Sequence, residues 1–387
     1  MTKRYLYITH RIFLDEVNIK KGGADYIIDS ISSNNFVYVI ELKLNEYSEY
    51  KKNINIIRVS IKYKTRNKIV YLKSFSNINF FFKFMHEFFL VNFFLLKTKK
   101  KYEISFSINP INSFYLIPII FFGITKKNYF HIVDYSDIRF HSFIVNKLYH
   151  WMFFLSIKTS HLVGYVSKSI SRLNFYDKKK FFFIPNTPDI NFLYPPYRKK
   201  IYDLVYLVPK FDNQTNWNLL IRCLLILKKF KCNFKFVITG NCDRKNLYYL
   251  YFRNKISSLG LKKNIVFVGY IHNRDLISNI LLKSRIGITC YNKNFSTNYS
   301  HYADSLKIRD YAGHGLPVIS EGLFYNSIEA KQLRFCLLFR TSNEFLNYFI
   351  KLSNTYNYKN FSRNAFEHHQ NLNKKVLLKS LFIRLSK

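Results

Sequence analysis

Acidic side chains are scarce in this chain: 23 Asp and Glu stand against 61 Lys and Arg in 387 residues, a formal charge of +38. No two acids fall in a D-x-D spacing. With no such carboxylate pair to hold a divalent ion, neither a catalytic metal nor a cofactor is expected. Cysteine is sparse too. Cys223, Cys232, Cys242, Cys290 and Cys336 all lie in the second half, with no C-x-x-C pair and no adjacent histidine cluster, which reads as reduced structural thiols in a cytosolic setting. The opening "MTKRYLYITHRIFLDEV" carries charges through the region where a signal peptide needs an apolar core, so secretion is not expected. One uncharged stretch, Ile104 to Ile124, is long enough to span a bilayer. Its first half holds Asn109, Pro110, Asn112 and several serines, so a strand, a turn and a buried helix fit better.

What the chain does have is length for two α/β cores with a cleft between them, the place where ligands settle. Lys, Asn, Ile, Phe and Tyr are the residues of A/T-rich codons, and a biased genome explains much of the basicity. A positive field of this size still attracts phosphorylated substrates and anionic lipid headgroups.

The first half alternates strands and helices: "RYLYITH", a Gly-Gly turn into the helix "IKKGGADYIIDSIS", then "FVYVIELK" and "INIIRVSI". A long aromatic helix, "NINFFFKFMHEFFLVNFFLLKTKKK", follows, apolar almost all round and basic at its end. Such a helix is buried, or lies in a membrane interface with its basic end on the headgroups, and both can hold on different faces. Three strand candidates come next, "YEISFSINP", "NYFHIVDYSD" and "TSHLVGYVSKS", each with polar residues where it ends, which is the ligand end of an open parallel sheet. The proline-rich "FFFIPNTPDINFLYPPYRKK" breaks the pattern.

The second half repeats the grammar: "YDLVYLVP", "FKFVITG", "NIVFVGYI", "IGITCY" and "LPVIS" are strands with helices between them. The expected fold is α/β, with two Rossmann-like doubly wound domains facing across a cleft. The expected boundaries are 1–193 for the first domain, 194–200 for a linker and 201–366 for the second. A basic C-terminal helix over 367–387 would cross back to the first domain.

The stretch "DSLKIRDYAGHGLPVIS", Asp304 to Ser320, resembles the "D-P-L-K-x-x-E-Y-x-A-x-G-x-P-V" segment of the retaining glycosyltransferases of the GT-B fold, family 4, also called glycosyl transferases group 1. "FVITG", "LGLKKNIVFVGYI" and "RDLISNILLKSRIGI" follow that family's order. So do Gly22-Gly23, "HIVDYSD", "VGYVSKS" and "FIPNTPD" in the first half. The resemblance implies sugar transfer from a nucleotide diphosphate sugar to a hydroxyl of a cell-surface glycan or lipid-linked acceptor, with retained configuration. With no D-x-D pair, a metal-independent hexosyltransferase is expected, and the aromatic-basic helix around Phe80 to Lys101 suits docking at an anionic membrane, so a peripheral place on its inner face is expected too.

On that resemblance the head of a helix beginning near Ser305 and Leu306 seats the diphosphate, with Lys307 on its first turn. Asp310 stands where the family has a Glu for the ribose, and Asp304 is the substitute for a missing sugar contact at Tyr302. Lys210 takes the place of the family's Arg, with no second cation after it. Gly240, Tyr270 and Ile271 fall at donor-side strand ends, and Gly22 and Gly23 form an acceptor or phosphate loop. Lys307, Asp134 and His131 are the catalytic candidates. Alternation along a strand puts His131 and Asp134 on opposite faces unless the strand ends between them, and Asp134 is preferred.

Two rival readings remain. A degenerate transferase fold would bind a sugar nucleotide or glycan without turnover, consistent with Tyr302 and the absent second cation. A nucleic-acid-binding protein would use the charge and the 31 Tyr and 40 Phe for stacking. The aromatics cluster in apolar runs rather than interleaving with Arg, and neither a zinc nor a helix-turn-helix signature is present, so no nucleic-acid partner is expected.

Overall fold

A computed structural model describes residues 4–9, 36–41, 56–60, 64–65, 68–69, 77–98, 100–133, 135–136, 142–188, 190, 199–271, 273–292, 302–372 and 374–386. Gly22, Gly23, Asp134, the helix expected over "IKKGGADYIIDSIS" and most of the expected linker fall outside those residues.

The first lobe is built on β1 (Arg4–Thr9), β2 (Phe36–Glu41) and β3 (Ile56–Ser60), then, after a two-residue antiparallel pair β4 (Lys64–Thr65) and β5 (Lys68–Ile69), on β6 (Tyr102–Ser107), β7 (Thr125–Ile132), β8 (Leu162–Tyr165) and β9 (Phe181–Phe183). Its seven strands run parallel in the order β3-β2-β1-β6-β7-β8-β9. Alternation along β1 divides the core. Leu6 and Ile8 face a cluster supplied by the helices Asn77–Thr98, Pro110–Phe121 and Phe143–Thr159, whereas Tyr5 and Tyr7 face Phe106, Tyr129 and the helix Lys374–Ser386. That last helix comes from beyond the second lobe and lays Leu378, Leu381 and Leu385 on the first sheet. The uncharged stretch from Ile104 resolves into β6 and the Pro110–Phe121 helix, opened by Pro at its start and by Asn109, whose side chain accepts from the Asn112 N–H at 2.8 Å.

The second lobe is formed by β10 (Tyr202–Tyr206), β11 (Phe236–Thr239), β12 (Ile265–Gly269), β13 (Ser284–Ile288), β14 (Val318–Ser320) and β15 (Cys336–Leu338). Their order is β12-β11-β10-β13-β14-β15, again all parallel. In chain order that is 3-2-1-4-5-6, the doubly wound arrangement, and the first sheet begins the same way. Each lobe reverses its winding once, between β1 and β6 and between β10 and β13, and at that point the two chain crossovers diverge and leave a crevice above the strand ends.

Tyr311 pins the second crevice from below. Its hydroxyl accepts from the Leu207 N–H at 3.0 Å, just past β10, and lies 3.0 Å from the Ile288 carbonyl that ends β13. Gly287 makes room for it: a Cβ there would sit 2.5 Å from the Tyr311 ring.

Candidate functional site

Above that crevice runs the Leu306–Gly313 helix, with Ser305 at its cap. The Ser305 hydroxyl is buried and has no hydrogen-bond partner, while its carbonyl accepts from the Asn326 side chain at 3.0 Å. The first turn carries Lys307. Its ammonium donates to the Tyr291 hydroxyl, stands over the Tyr291 ring at 4.3 Å from the centroid and lies 5.7 Å from the centroid of Tyr206. Tyr206 ends β10 and Tyr291 follows β13, so Lys307 sits at the winding reversal. Burial pulls its pKa down to about 8, partly offset by the carboxylates of Glu321, Asp212 and Asp310. At neutral pH Lys307 is mostly charged, and an arriving anion would hold it so.

Asp310, one turn on, is completely buried. Arg274, at the start of the Arg274–Leu282 helix, grips its carboxylate in a fork, at 2.7 Å to Oδ1 and 3.4 Å to Oδ2. A route from Asp310 to a ribose hydroxyl therefore runs past Arg274. His314 fixes the end of the same helix, through the Asp310 carbonyl at 2.7 Å and Ser278 at 2.7 Å.

Asp304 is occupied differently. It is buried and pairs with Arg309, with contacts of 3.1 and 3.2 Å from Nε, and its Oδ2 accepts the Asn186 N–H of the first lobe at 3.0 Å. Burial raises its pKa, against the pull of Arg309. The structure thus gives Asp304 an ion-pair partner within its own lobe and a backbone partner across the junction.

Arg309 extends this pair into a network. It donates to Glu329 at 3.1 Å and to His368 Nε2 at 2.6 Å; a guanidinium can only donate, so Nε2 is the accepting nitrogen. Burial and then Arg309 lower the His368 pKa to about 4, which keeps the ring neutral. Lys168 of the first lobe reaches Glu329 at 2.6 Å. Burial alone would raise the Glu329 pKa, but Arg309 and Lys168 outweigh it and hold the carboxyl below its ordinary range. Arg172 stacks over Tyr325 at 5.1 Å, and Tyr135 meets Tyr302 edge-on at 5.3 Å, so the lobes touch through charge and rings alike. Tyr302 is an aromatic contact across the junction.

The remaining strand-end candidates spread around the crevice. Lys210 is exposed, 3.7 Å from Asp212. Gly240 adopts φ +121° with its N–H on the Gly269 carbonyl at 2.9 Å, and a Cβ there would come within 3.0 Å of the Val208 carbonyl, so glycine is required. Tyr270 is exposed beyond β12, while Ile271 packs against the core of the second lobe. In the first lobe His131 is fully buried in the last turn of β7. Its Nδ1 pairs with the Tyr129 hydroxyl at 2.8 Å, its Nε2 has no partner, and burial lowers its pKa to about 3. Strand β7 ends at Ile132, between His131 and Asp134.

Sequence reasoning missed Arg274, Tyr291, Glu321, Arg309 and Glu329. Glu321 directly follows the stretch that was singled out, and its buried carboxylate lies 3.0 Å from the Thr289 hydroxyl at the end of β13. In so basic a chain a carboxylate next to a buried strand was itself a signal. Among the described residues no group of three or more His, Cys, Asp or Glu is placed to hold a metal ion, and no helix is long and apolar enough to cross a membrane.

No protein-family model and no curated protein matches this chain. Solved structures do match it. Sucrose-phosphate synthase from Thermosynechococcus elongatus superposes with a TM-score of 0.71 at 12% identity, over 98% of this chain and 97% of that one. A glycosyltransferase from Rickettsia africae ESF-5 gives 0.68 at 14%, over 99% and 98%. Anabaena HepE, solved in complex with UDP and glucose, gives 0.66 at 14%, over 99% of each chain. At such identities the likeness is one of fold: two parallel-sheet α/β lobes facing across a cleft, the GT-B architecture.

Proposed function

We propose that the protein transfers a sugar from a nucleotide diphosphate sugar to an acceptor hydroxyl, with retention of configuration and without a metal ion. The observation that carries this reading is the position of Lys307. A cation on the first turn of a helix, above the winding reversal of a Rossmann-like lobe, is where a diphosphate leaving group finds both an ammonium and unpaired helix amides. The unpartnered Ser305 hydroxyl beside those amides is a further donor for a phosphate oxygen. Charge that builds on the departing diphosphate is then met by groups already in place, which is electrostatic preorganisation. HepE, solved with UDP and glucose, makes a uridine nucleotide carrying a hexose the first donor to try.

In this reading the partly exposed Arg274, held in place by the buried Asp310, meets the donor, and its guanidinium supplies the second cation that the loop after β10 lacks. Lys210, Gly240, Tyr270 and Ile271 border the donor. Gly22, Gly23, His131 and Asp134 belong to the acceptor side, lobe 1–193, joined through 194–200 to lobe 201–366. The acceptor is a glycan or a lipid-linked sugar, met at the cytoplasmic face of a membrane.

The test is a panel of UDP, GDP and CMP sugars incubated with the protein and a membrane extract, with release of free nucleotide followed over time. One donor family should give release and transfer of label, and Lys307→Met should reduce both by about two orders of magnitude. If no donor is consumed although its nucleotide raises the melting temperature, the protein is a binder built on a transferase fold. If none binds, the reading fails.

A further inference from the structure

The three helices that cover one face of the first sheet are apolar on both sides. Towards the sheet, Val91, Leu95, Tyr115, Leu116, Ile119 and Met152 are buried with Leu6 and Ile8. Away from it, Phe89, Phe93 and Leu96 of the Asn77–Thr98 helix are exposed, with Lys97 beside them. On the Phe143–Thr159 helix the exposed positions include Ile144, Lys147, Trp151, Phe154 and Lys158, spaced by 3, 4, 3 and 4 residues and so on a single stripe. The helix between them ends in Phe121 and Phe122, both exposed and edge-to-face at 5.7 Å.

Ring contacts tie the three helices together on this side. A ladder of ring contacts runs from Phe89 to Phe88 at 5.7 Å, to Phe114 at 5.6 Å and to Trp151 at 5.5 Å, crossing all three helices. The exposed apolar side chains on it range from 42% for Leu96 to 84% for Phe121. Isolated exposed apolar residues need no explanation, but a contiguous face of this extent marks a docking surface. Its charge selects the occupant. Among the described residues the exposed charges on these stripes are Lys97, Lys147 and Lys158, with no carboxylate.

We propose that this three-helix face docks on an anionic lipid bilayer, with its rings at headgroup depth and its lysines on the phosphates. A positive, aromatic face suits a surface that is apolar beneath and negative above. A second copy of the chain fits poorly, because two molecules of charge +38 repel one another. The proposal deepens the transferase reading by naming the surface at which the enzyme works, yet its test needs no catalysis.

The full chain is mixed with vesicles of phosphatidylglycerol and phosphatidylcholine, or of phosphatidylcholine alone, and binding is read by co-sedimentation. The two tryptophans make emission a second readout, since Trp217 is 4% exposed and Trp151 is 52% exposed. Binding to the anionic vesicles should be at least about tenfold tighter and should shift the emission to the blue. Phe93→Ser with Ile144→Ser, and separately Lys147→Glu with Lys158→Glu, should each weaken binding by about tenfold or more while melting temperature and nucleotide binding stay as in the wild type. Equal binding by the variants, no binding by the wild type, or a lipid-free dimer that itself shifts the Trp151 emission would each overturn the proposal.

Discussion

The two lobes share a strand order and differ in what they do with polarity. In the second lobe the exposed positions of the Trp217–Phe230 helix include Asn218, Arg222 and Lys229, and charge is drawn inward, into the network around Arg309. In the first lobe the helices turn Phe and Trp outward, and His131, completely buried, is kept neutral. A Rossmann-like sheet dictates only the inner face of each covering helix. The outer face is free to be chosen: the Trp217–Phe230 helix exposes Asn218, Arg222 and Lys229 besides Phe230, and the Leu247–Ser258 helix exposes Leu247, Tyr248 and Tyr251, whereas in the first lobe a ladder of rings links three neighbouring helices.

That contrast is broken most directly by Arg309→Met. It would leave Asp304 and Glu329 buried without their shared cation, at a cost of about 3–5 kcal/mol in denaturant unfolding. Next comes pH. His368 has its pKa lowered to about 4 in the folded protein, against an ordinary 6.5, so the unfolded chain binds the extra proton first. Stability is therefore full above about pH 6.5 and is lost as pH falls towards 4, on the order of 3 kcal/mol for this group. His368→Gln, which keeps an acceptor for Arg309 but cannot titrate, should flatten that part of a melting-temperature profile.

A smaller effect belongs to Lys307. Loss of a charge-assisted contact of about 1.5–3 kcal/mol predicts a tenfold to hundredfold weaker nucleoside diphosphate in calorimetry on Lys307→Met. With its pKa at about 8 in the empty site, affinity in the wild type should also fall as pH rises above 8, and the variant should not follow. Smaller still is Lys168→Ala. Its ammonium is half exposed, and Glu329 keeps Arg309, so about 0.5–1 kcal/mol is expected. Smallest of all, Phe93→Ser changes unfolding free energy by less than about 0.5 kcal/mol, because the ring leaves no core behind.

Much of this architecture could be read from the chain because parallel strands buried on both faces are short apolar runs, such as "YDLVYLVP" and "FKFVITG", set off by polar turns. The helix Leu306–Gly313 and the strand after it were legible for the same local reason. Partners remote in sequence were not: Arg274 meets Asp310 across 36 residues, and Glu329 meets Lys168 across 161. Those encounters are set by how helices pack on a sheet, which periodicity does not encode. The aromatic helix over Asn77–Thr98 marks another boundary. Apolar residues almost all round cannot tell which side faces the sheet, and the pattern Val91 and Leu95 inside, Phe89 and Phe93 outside, emerges only from packing.

The helix Lys374–Ser386 lays its leucines on Tyr5 and Tyr7, so a strand that precedes both sheets' other strands in the chain is sealed by a helix that follows them all. During synthesis Tyr5 and Tyr7 emerge without those leucines, and they stay without them until Leu385 has cleared the ribosome. A nascent first lobe then lacks part of its own core, and holding it back from aggregation falls to chaperones until the chain closes on itself.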